Sequence, residues 1–213
     1  MPLITFEGLD ASGKSTQLQL LQLYLAQLGY EVVCTRESGG TGLGVEIRQL
    51  VQERHDLIIH PLSEALLYAA DRAQHVSELM RPALQRGAYV LCDRYIDSSL
   101  AFQGVSLPLA VIREINALAT ENLAADLTFL CDLGVSTARE RLQQRETAPD
   151  RIELRDHSYH EQVRRIYLEI AASDPGRICV LDTSASVESV AEIVKNRVKT
   201  RFGIDDGNPI YQE

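Results

Sequence analysis

The sequence predicts an α/β protein built on a parallel sheet, because three observations agree. Five short apolar runs at residues 3–6, 31–35, 89–92, 127–132 and 177–181 are continuous rather than alternating, which is typical of strands covered on both faces. Helical segments lie between these runs, and strands that alternate with helices pair in parallel through right-handed crossovers. The 213 residues, 45% hydrophobic and 24% charged, are enough for one domain with its own core.

We expect a single domain over residues 1–213, because neither a repeat nor a low-complexity linker interrupts the chain. The longest apolar run, residues 65–70, is far shorter than the roughly 20 residues of a membrane-spanning helix, so no membrane partner is expected. The N-terminus has no export signal, which predicts a cytoplasmic protein. The net charge of −9 argues against nucleic acid as a partner, because sequence-independent binding needs a basic surface.

The four cysteines are expected to be buried and reduced. Each lies inside one of the apolar runs, and no two have the spacing of a Cys-x-x-Cys metal or redox motif. Such residues act as small hydrophobic side chains in a reducing compartment, which agrees with the cytoplasmic prediction. They are Cys34, Cys92, Cys131 and Cys179.

The helices follow from apolar spacing and from their end signals. In the clearest one, Leu18, Leu21, Leu25 and Leu28 recur at helical spacing, and Gly29 follows at the position of a C-cap. Further helices are predicted near residues 43–54, 63–80, 108–121, 136–145, 158–173 and 186–201.

Proline, glycine and charge mark the remaining boundaries. Pro82 is expected to break the long middle helix, and Gly87 to end its last turn. Residues 145–157 are polar with charges of both signs, so we expect a mobile segment. The tail from 203 to 213 contains Gly, Asp, Asn and Pro and is expected to fray.

The strongest motif is the loop between the first strand and the first helix, which fits G-x-x-x-x-G-K-[ST]. Gly8 and Gly13 let consecutive N–H groups wrap round an anion, and the helix N-terminus adds positive potential. Lys14 would reach the β- and γ-phosphates of a nucleoside triphosphate, and the Ser15 hydroxyl would bind Mg²⁺. The predicted nucleotide-binding residues are Gly8, Leu9, Asp10, Ala11, Ser12, Gly13, Lys14, Ser15 and Thr16.

A second pair of candidate site residues lies at the end of the third predicted strand. Asp93 lies where an acidic residue of a neighbouring strand holds Mg²⁺ or its waters. Arg94 follows it into the crevice at the strand ends, where it would bind an acceptor phosphate. The chain has no guanine-reading Asn-Lys-x-Asp motif and is too short for a large motor ATPase, so a small kinase fits best.

Five blocks in order resemble the thymidylate kinase family, whose members phosphorylate dTMP with ATP. They are residues 6–16, 35–41, 66–72, 93–104 and 150–153, which together extend over nearly the whole chain. The resemblance implies a P-loop NTPase fold of the nucleoside-monophosphate kinase type, with a five-stranded parallel sheet in the order 2-3-1-4-5 flanked by helices. It also implies ATP and dTMP as substrates, Mg²⁺ as cofactor and a homodimer formed through helices beside the sheet.

The resemblance assigns an acceptor site. Tyr68 would stack on thymine, and Arg72, one helical turn on, would donate to a thymine carbonyl oxygen. Ser99 and Gln103 would read the remaining base edge, while Phe102 would crowd the sugar 2′ position. Arg48 and Arg94 would hold the dTMP phosphate, and Glu37 would lie near the phosphoryl path or the metal. The predicted substrate-binding residues are thus Glu37, Arg48, Tyr68, Arg72, Arg94, Ser99, Phe102 and Gln103.

The resemblance is to the bacterial type of the family, which carries its transition-state arginines in the lid, here about residues 143–157. No basic residue occupies the four variable positions of the phosphate loop, so Arg145 and Arg151 are predicted for this role. Asp10 would orient the acceptor through its 3′-OH or the metal. The predicted catalytic residues are Asp10, Lys14, Arg94, Arg145 and Arg151, and the predicted metal ligands are Ser15 and Asp93.

Other functions remain open at this point. Another nucleoside-monophosphate kinase would read a different base. A deoxynucleoside kinase would act on a 5′-OH and needs a carboxylate base, for which Glu37 could serve. A non-catalytic nucleotide-binding regulator would keep Lys14 and Ser15 but would not need acceptor residues such as Arg72 and Gln103. One departure from the family pattern is Ser38, which stands where relatives usually have proline.

Overall fold

A five-stranded sheet, all parallel, forms the centre of the molecule. The computed structural model describes residues 1–146 and 148–205. The strand order is β2-β3-β1-β4-β5, so the predicted fold class is confirmed. The strands, each within about one residue of its predicted bounds, are β1 Leu3–Glu7, β2 Val32–Arg36, β3 Tyr89–Asp93, β4 Leu127–Asp132 and β5 Ile178–Asp182.

Helices cover both faces of this sheet. Within the described residues, no helix is long and apolar enough to cross a membrane. Two π-type turns, Gln49–Glu53 and Val76–Met80, extend helices at their C-terminal ends. The α-helices are α1 Lys14–Gln27, α2 Gly42–Arg48, α3 Pro61–His75, α4 Arg81–Gln85, α5 Ile96–Phe102, α6 Leu109–Thr120, α7 Val135–Gln143, α8 His157–Ser173 and α9 Val187–Phe202.

The central strands are mostly apolar because both of their faces are covered. Ile4 and Phe6 of β1 pack into the layer that contains α1 and α9, while Leu3 packs into the opposite layer with Val76 and Met80. Successive side chains of a strand point to opposite faces. A strand between two helix layers therefore reads as a continuous hydrophobic run, which is the pattern that predicted it.

Pro82 does not break the long middle helix, contrary to the prediction. The helical path runs from α3 through the π turn Val76–Met80 directly into α4, and Pro82 lies in the first turn of α4. A proline lacks the N–H group for an α-helical hydrogen bond and crowds the carbonyl four residues earlier. The wider π turn before it changes the local carbonyl register, so the chain stays helical. Gly87, with φ of 89°, ends this path as predicted.

Helix α5 was not predicted. It begins just after β3, and its buried side chains include Asp97, Ser98 and Ser99. Apolar periodicity does not detect a buried helix that carries polar groups to a site.

Two of the four cysteines are less buried than predicted. Cys92 and Cys131 are buried, whereas Cys34 is exposed and Cys179 is partly exposed. The strand order places β2 and β5 at the two edges of the sheet. Edge strands are covered less completely than central ones, and the sequence of an apolar run does not say which strands are at the edge.

The first residues of the predicted fraying tail are anchored. Gly203 caps α9 in a left-handed conformation with φ of 66°, and Ile204 is buried in the core beside α9. The rest of the predicted tail, from residue 206 to 213, lies outside the described residues.

Candidate active site

The loop between β1 and α1 has the backbone of an anion-binding turn. Gly8 and Gly13 have φ of 131° and 92°, which is the region that favours glycine. A Cβ atom at Gly8 would lie 2.4 Å from the carbonyl oxygen of Cys131, so no larger residue fits there. The Lys14 Nζ atom donates to the Leu9 carbonyl at 2.7 Å. The lysine thus folds over the loop, with its ammonium group at the place where phosphates would bind.

A cleft of about 590 Å³ opens above this loop. More of its charged side chains are cationic than acidic, so its chemistry suits a polyphosphate. Burial, together with the nearby charge of Arg94, lowers the pKa of Lys14. The cationic residues that line the cleft are Lys14, Arg36, Arg48, Arg94, Arg141 and Arg145, and the acidic ones are Asp10, Glu37 and Asp93.

The two predicted metal ligands meet at the rim of the phosphate loop. The Ser15 hydroxyl donates to a carboxylate oxygen of Asp93 at 2.7 Å. A hydroxyl and a carboxylate are hard oxygen ligands, and Mg²⁺ in nucleotide sites is held by one or two such protein groups together with substrate phosphates. The residues present therefore fit Mg²⁺.

Arg94 crosses from the end of β3 to the phosphate loop. Its Nη1 donates to the Gly8 carbonyl at 2.8 Å, and its Nη2 donates to Asp10 Oδ1 at 2.7 Å. Its guanidinium carbon lies 5.1 Å from the centre of the Phe102 ring. Burial alone would raise the pKa of Asp10, but the charges of Arg94 and Lys14 outweigh it and hold that pKa below its usual range. Asp10 is therefore ionised at neutral pH.

A second cavity of about 130 Å³ adjoins the phosphate cleft. Asp10, Glu37, Arg48, Arg94 and Arg145 line both spaces, so a molecule in one can reach a molecule in the other. We call this second cavity the acceptor pocket. All eight residues predicted to bind substrate line it, namely Glu37, Arg48, Tyr68, Arg72, Arg94, Ser99, Phe102 and Gln103.

Comparison with known proteins gives the family of this chain. The family model described as thymidylate kinase matches residues 6–194. The chain belongs to the thymidylate kinase family. The thymidylate kinase of Leifsonia xyli subsp. xyli is 50% identical over 200 residues, covering 93% of this chain and 94% of the relative. That of Exiguobacterium sibiricum is 48% identical over 189 residues, covering 88% and 89%. The crystal structure of the Ehrlichia chaffeensis thymidylate kinase superposes with a TM-score of 0.75 at 31% identity, covering 92% of this chain and 98% of that one.

Two members of the acceptor set, Arg72 and Glu37, are turned toward each other. Arg72 Nε donates to Glu37 Oε2 at 2.7 Å, and its Nη2 donates to the Tyr95 carbonyl at 3.1 Å. Its Nη1 donates to Ser99 Oγ at 2.8 Å and to Asn116 Oδ1. Each of the three guanidinium nitrogens of Arg72 thus already has a protein partner. Its Nη2 also lies 2.6 Å from Glu37 Oε2, so all five N–H groups of the guanidinium have a protein acceptor. The contact of Arg72 with a thymine carbonyl stays a prediction and requires that one N–H be shared.

The lid arginines differ in where they lie. Arg145 lines both the phosphate cleft and the acceptor pocket and forms an ion pair with Glu153 at 3.3 Å. Arg151 instead pairs with Glu64 of α3, and its Nε donates to the Val51 carbonyl at 2.9 Å. The structure therefore brings Arg145, and not Arg151, to the phosphate loop of this kinase.

The residues of the site that the sequence prediction missed include four polar ones. Arg141 lines the phosphate cleft one helical turn before Arg145, and that i, i+4 spacing was the available signal. Asn116 binds Arg72 from the distant helix α6, for which the sequence offers no signal. The other two are Ser38 and Gln52, which line the acceptor pocket.

Ser38 and Gln52 carry buried polar atoms with no partner among the described residues. They are Ser38 Oγ and Gln52 Oε1. The Glu37–Ser38 peptide bond is cis, and Gln52 Nε2 donates to the Tyr68 hydroxyl at 3.3 Å. Buried polar atoms are usually satisfied by protein, water or ligand, so these two atoms are left for water or for a bound ligand.

Beneath Arg94 lies a fully buried carboxyl group, that of Glu7. It accepts from the Tyr95 backbone N–H at 2.7 Å and from the Tyr167 hydroxyl at 3.2 Å. Ser98, which also donates to Glu7, contacts Arg94 as well. Burial, with a further contribution from the charge of Asp97, raises the pKa of Glu7 from 4.5 to about 7. Glu7 therefore supports the backbone and side chains around Arg94 without touching the cleft.

Glu7 makes the stability of this kinase depend on pH. Its raised pKa means that the folded state holds a proton that the unfolded state releases between about pH 4.5 and 7. The free energy of unfolding should fall across that interval as pH rises, by an amount of order 3 kcal/mol. The substitution Glu7→Gln should remove this dependence. Denaturant unfolding at pH 5 and pH 8 measures it, with the exposed Glu46→Gln as a control that follows the wild type. Equal pH dependence in Glu7→Gln and wild type would contradict the prediction.

Proposed function

We propose that this protein transfers the γ-phosphoryl group of ATP to the 5′-phosphate of dTMP, forming ADP and dTDP for dTTP synthesis. The observation that carries the proposal is the pair of adjoining cavities, one over the phosphate loop and one lined by the acceptor residues, which share Arg94, Arg48 and Arg145. Membership of the thymidylate kinase family supports the same reaction.

The main contribution of the protein's side chains to this reaction is to neutralise negative charge. The nucleophile is a phosphate oxygen of dTMP, and the second pKa of such a group is near 6, so about nine-tenths is ionised at pH 7 without a general base. The difficulty is repulsion between two anions and charge on the transferred group. Arg48, Arg94 and Arg145 line both cavities, and Lys14 lines the phosphate cleft. These four cationic groups would offset that charge.

Mg²⁺ is proposed as the cofactor. Ser15 and Asp93 would hold it, since they present a hydroxyl and a carboxylate oxygen 2.7 Å apart beside the phosphate loop. When bound, the ion neutralises charge on the β- and γ-phosphates.

Recognition of thymine is assigned to the inner wall of the acceptor pocket. Tyr68 supplies a ring face for stacking, which adds affinity but little base discrimination. Ser99 and Gln103 supply hydrogen-bonding groups, which reject a base that leaves them unpaired. Phe102 lies against Arg94 and limits the room beside the sugar. Asp10, ionised and paired with Arg94, would orient the acceptor through its sugar 3′-OH or through the metal.

We propose that residues 1–213 act as one domain with a lid near 143–157. Arg151 donates its backbone N–H to the Gln52 carbonyl at 2.9 Å, which supports docking of the lid on the segment after α2. Closure of such a segment would exclude water and so prevent hydrolysis of ATP. The free thiols of all four cysteines suit a reducing compartment such as the cytoplasm.

A homodimer is proposed through α3 and α6. These two helices pack against each other. Each leaves large apolar side chains exposed, Leu62 and Leu66 on α3, and Val111 and Leu118 on α6. Exposed apolar groups on adjacent helices are typical of a protein interface.

ADP release from ATP and Mg²⁺ tests the function, with dTMP, dUMP, dCMP, AMP, GMP and thymidine as acceptors. We expect the highest kcat/KM for dTMP. Preference for thymidine would indicate a nucleoside kinase, and preference for another monophosphate would overturn the base assignments while leaving a kinase. ATP binding without turnover on any acceptor would favour a regulator.

A further inference from the structure

A buried carboxylate that the reaction does not use joins the acceptor pocket to the lid. Glu64, in the first turn of α3, is 4% exposed. Its Oε1 accepts from Gln103 Nε2 at 3.3 Å. Its Oε2 accepts from the guanidinium groups of Arg151 and Arg155, the latter at 3.1 Å. Arg155 Nη2 also lies 3.5 Å from Oε1. Oε1 thus faces the base-reading residue, and the closer contacts with the lid arginines are made by Oε2.

The chemistry of Glu64 decides how the Gln103 amide is turned. An ionised carboxylate only accepts hydrogen bonds, so the group of Gln103 that approaches it must be the NH₂. The amide oxygen then lies on the opposite side of the planar group. Since Gln103 lines the acceptor pocket, its oxygen is the atom left for a ligand. Without Glu64 the two orientations would be close in shape and in energy, because the amide NH₂ and oxygen are nearly the same size.

We propose that Glu64 is a positioning residue that holds Gln103 with its carbonyl oxygen toward the acceptor base. An oxygen at that place accepts from an N–H group and repels an acceptor. Thymine and uracil carry an N–H at ring position 3, whereas cytosine has an unprotonated nitrogen there. Glu64 therefore selects against dCMP through Gln103, an inference that rests on the proposed reaction with dTMP.

The substitution Glu64→Gln tests this orientation. In the variant, the new amide oxygen is drawn to the positive charges of Arg151 and Arg155, which leaves its NH₂ facing Gln103. Gln103 should then turn and present its own NH₂ to the base. We expect kcat/KM for dTMP to fall roughly 10- to 100-fold, which is the cost of one mispaired buried hydrogen bond. The value for dCMP should hold or rise, and KM for ATP should stay within about twofold of wild type.

Two further variants complete the test. Arg155→Met removes a lid ion pair but leaves the Glu64 carboxylate on Gln103, so its dTMP to dCMP ratio should match wild type. Glu64→Asp keeps the charge but is one methylene shorter, and a contact that is already 3.3 Å long should be lost. Glu64→Asp should therefore also lower the dTMP to dCMP ratio of kcat/KM. It replaces Glu64→Gln as the test variant if thermal melting shows that Glu64→Gln is unfolded.

The outcomes separate the inference from the reaction on which it rests. An unchanged dTMP to dCMP ratio in a folded Glu64 variant would overturn the inference, as would an equal change in Arg155→Met. A wild-type enzyme that fails to phosphorylate dTMP would overturn the proposed function instead, and that result is known before any variant is compared.

Discussion

Replacement of Arg94 by alanine is expected to lower kcat/KM for dTMP by about 10²- to 10³-fold, through both a higher KM for dTMP and a lower kcat. Arg94 lies where the two cavities meet, and its guanidinium is already oriented by the Gly8 carbonyl and by Asp10. A group that is fixed before the reaction stabilises developing charge without reorganising, so its loss is felt in the transition state. Steady-state kinetics with dTMP varied at saturating ATP measures the effect.

Two variants sharpen this prediction. Arg94→Lys keeps the charge but loses the planar fork that holds Gly8 and Asp10 together, so its activity should lie between alanine and wild type. Arg165→Ala removes an arginine that is 66% exposed on α8 and pairs only across one helical turn with Glu169; it should leave the kinetics unchanged. Wild-type kinetics in Arg94→Ala would remove this residue from the site.

Arg145→Met is expected to lower kcat by about 10³-fold, with smaller changes in both KM values. Arg145 reaches the phosphate cleft from the end of α7, and its pair with Glu153 is partly exposed. An exposed pair holds an arginine weakly, so the side chain is free to meet charge that develops in the transition state. Single-turnover measurements separate this loss from any change in product release.

Arg151→Met is the matched comparison, because it removes the same charge from the same lid. Arg151 is held by the buried Glu64 and by the Val51 carbonyl, away from the phosphate loop. The kcat of Arg151→Met should fall less than about tenfold, because this residue docks the lid and does not contact the transferred group. A larger loss in Arg151→Met than in Arg145→Met would mean that the Glu64 pair breaks on closure and that Arg151 carries the transition-state charge.

The strands could be predicted because their signal is local. Ile4 and Phe6 face one helix layer and Leu3 faces the other, so a covered strand is apolar on both faces over most of its length. Helix α5 and the continuation of α4 past Pro82 could not be predicted in this way. The first carries buried polar groups, and the second depends on a π turn that packing stabilises upstream of the proline.

The members of the acceptor pocket were predicted from ordered motifs, and the structure gathers them in one cavity. The roles of these residues remain predictions. The side chains that bind them could not be predicted from the sequence. The sequence placed Arg72 on the helix that carries Tyr68 but gave no sign that Asn116, 44 residues away, would bind it. Nor did it show that Glu7 supports Arg94. Such contacts depend on which helices and strands pack against each other, and a local sequence pattern does not predict that packing.

By itself, the sequence determined the parallel α/β class, the phosphate loop, the choice of Ser15 and Asp93 as candidate metal ligands and membership of the thymidylate kinase family. These follow from residues close together in the chain or from motifs in a set order. Only the tertiary structure decided that Arg145 faces the phosphates while Arg151 turns to Glu64, and that Glu64 also reaches Gln103. The physical reason is that a charged side chain takes the partner that packing brings within about 3 Å, and that partner comes from a distant part of the chain.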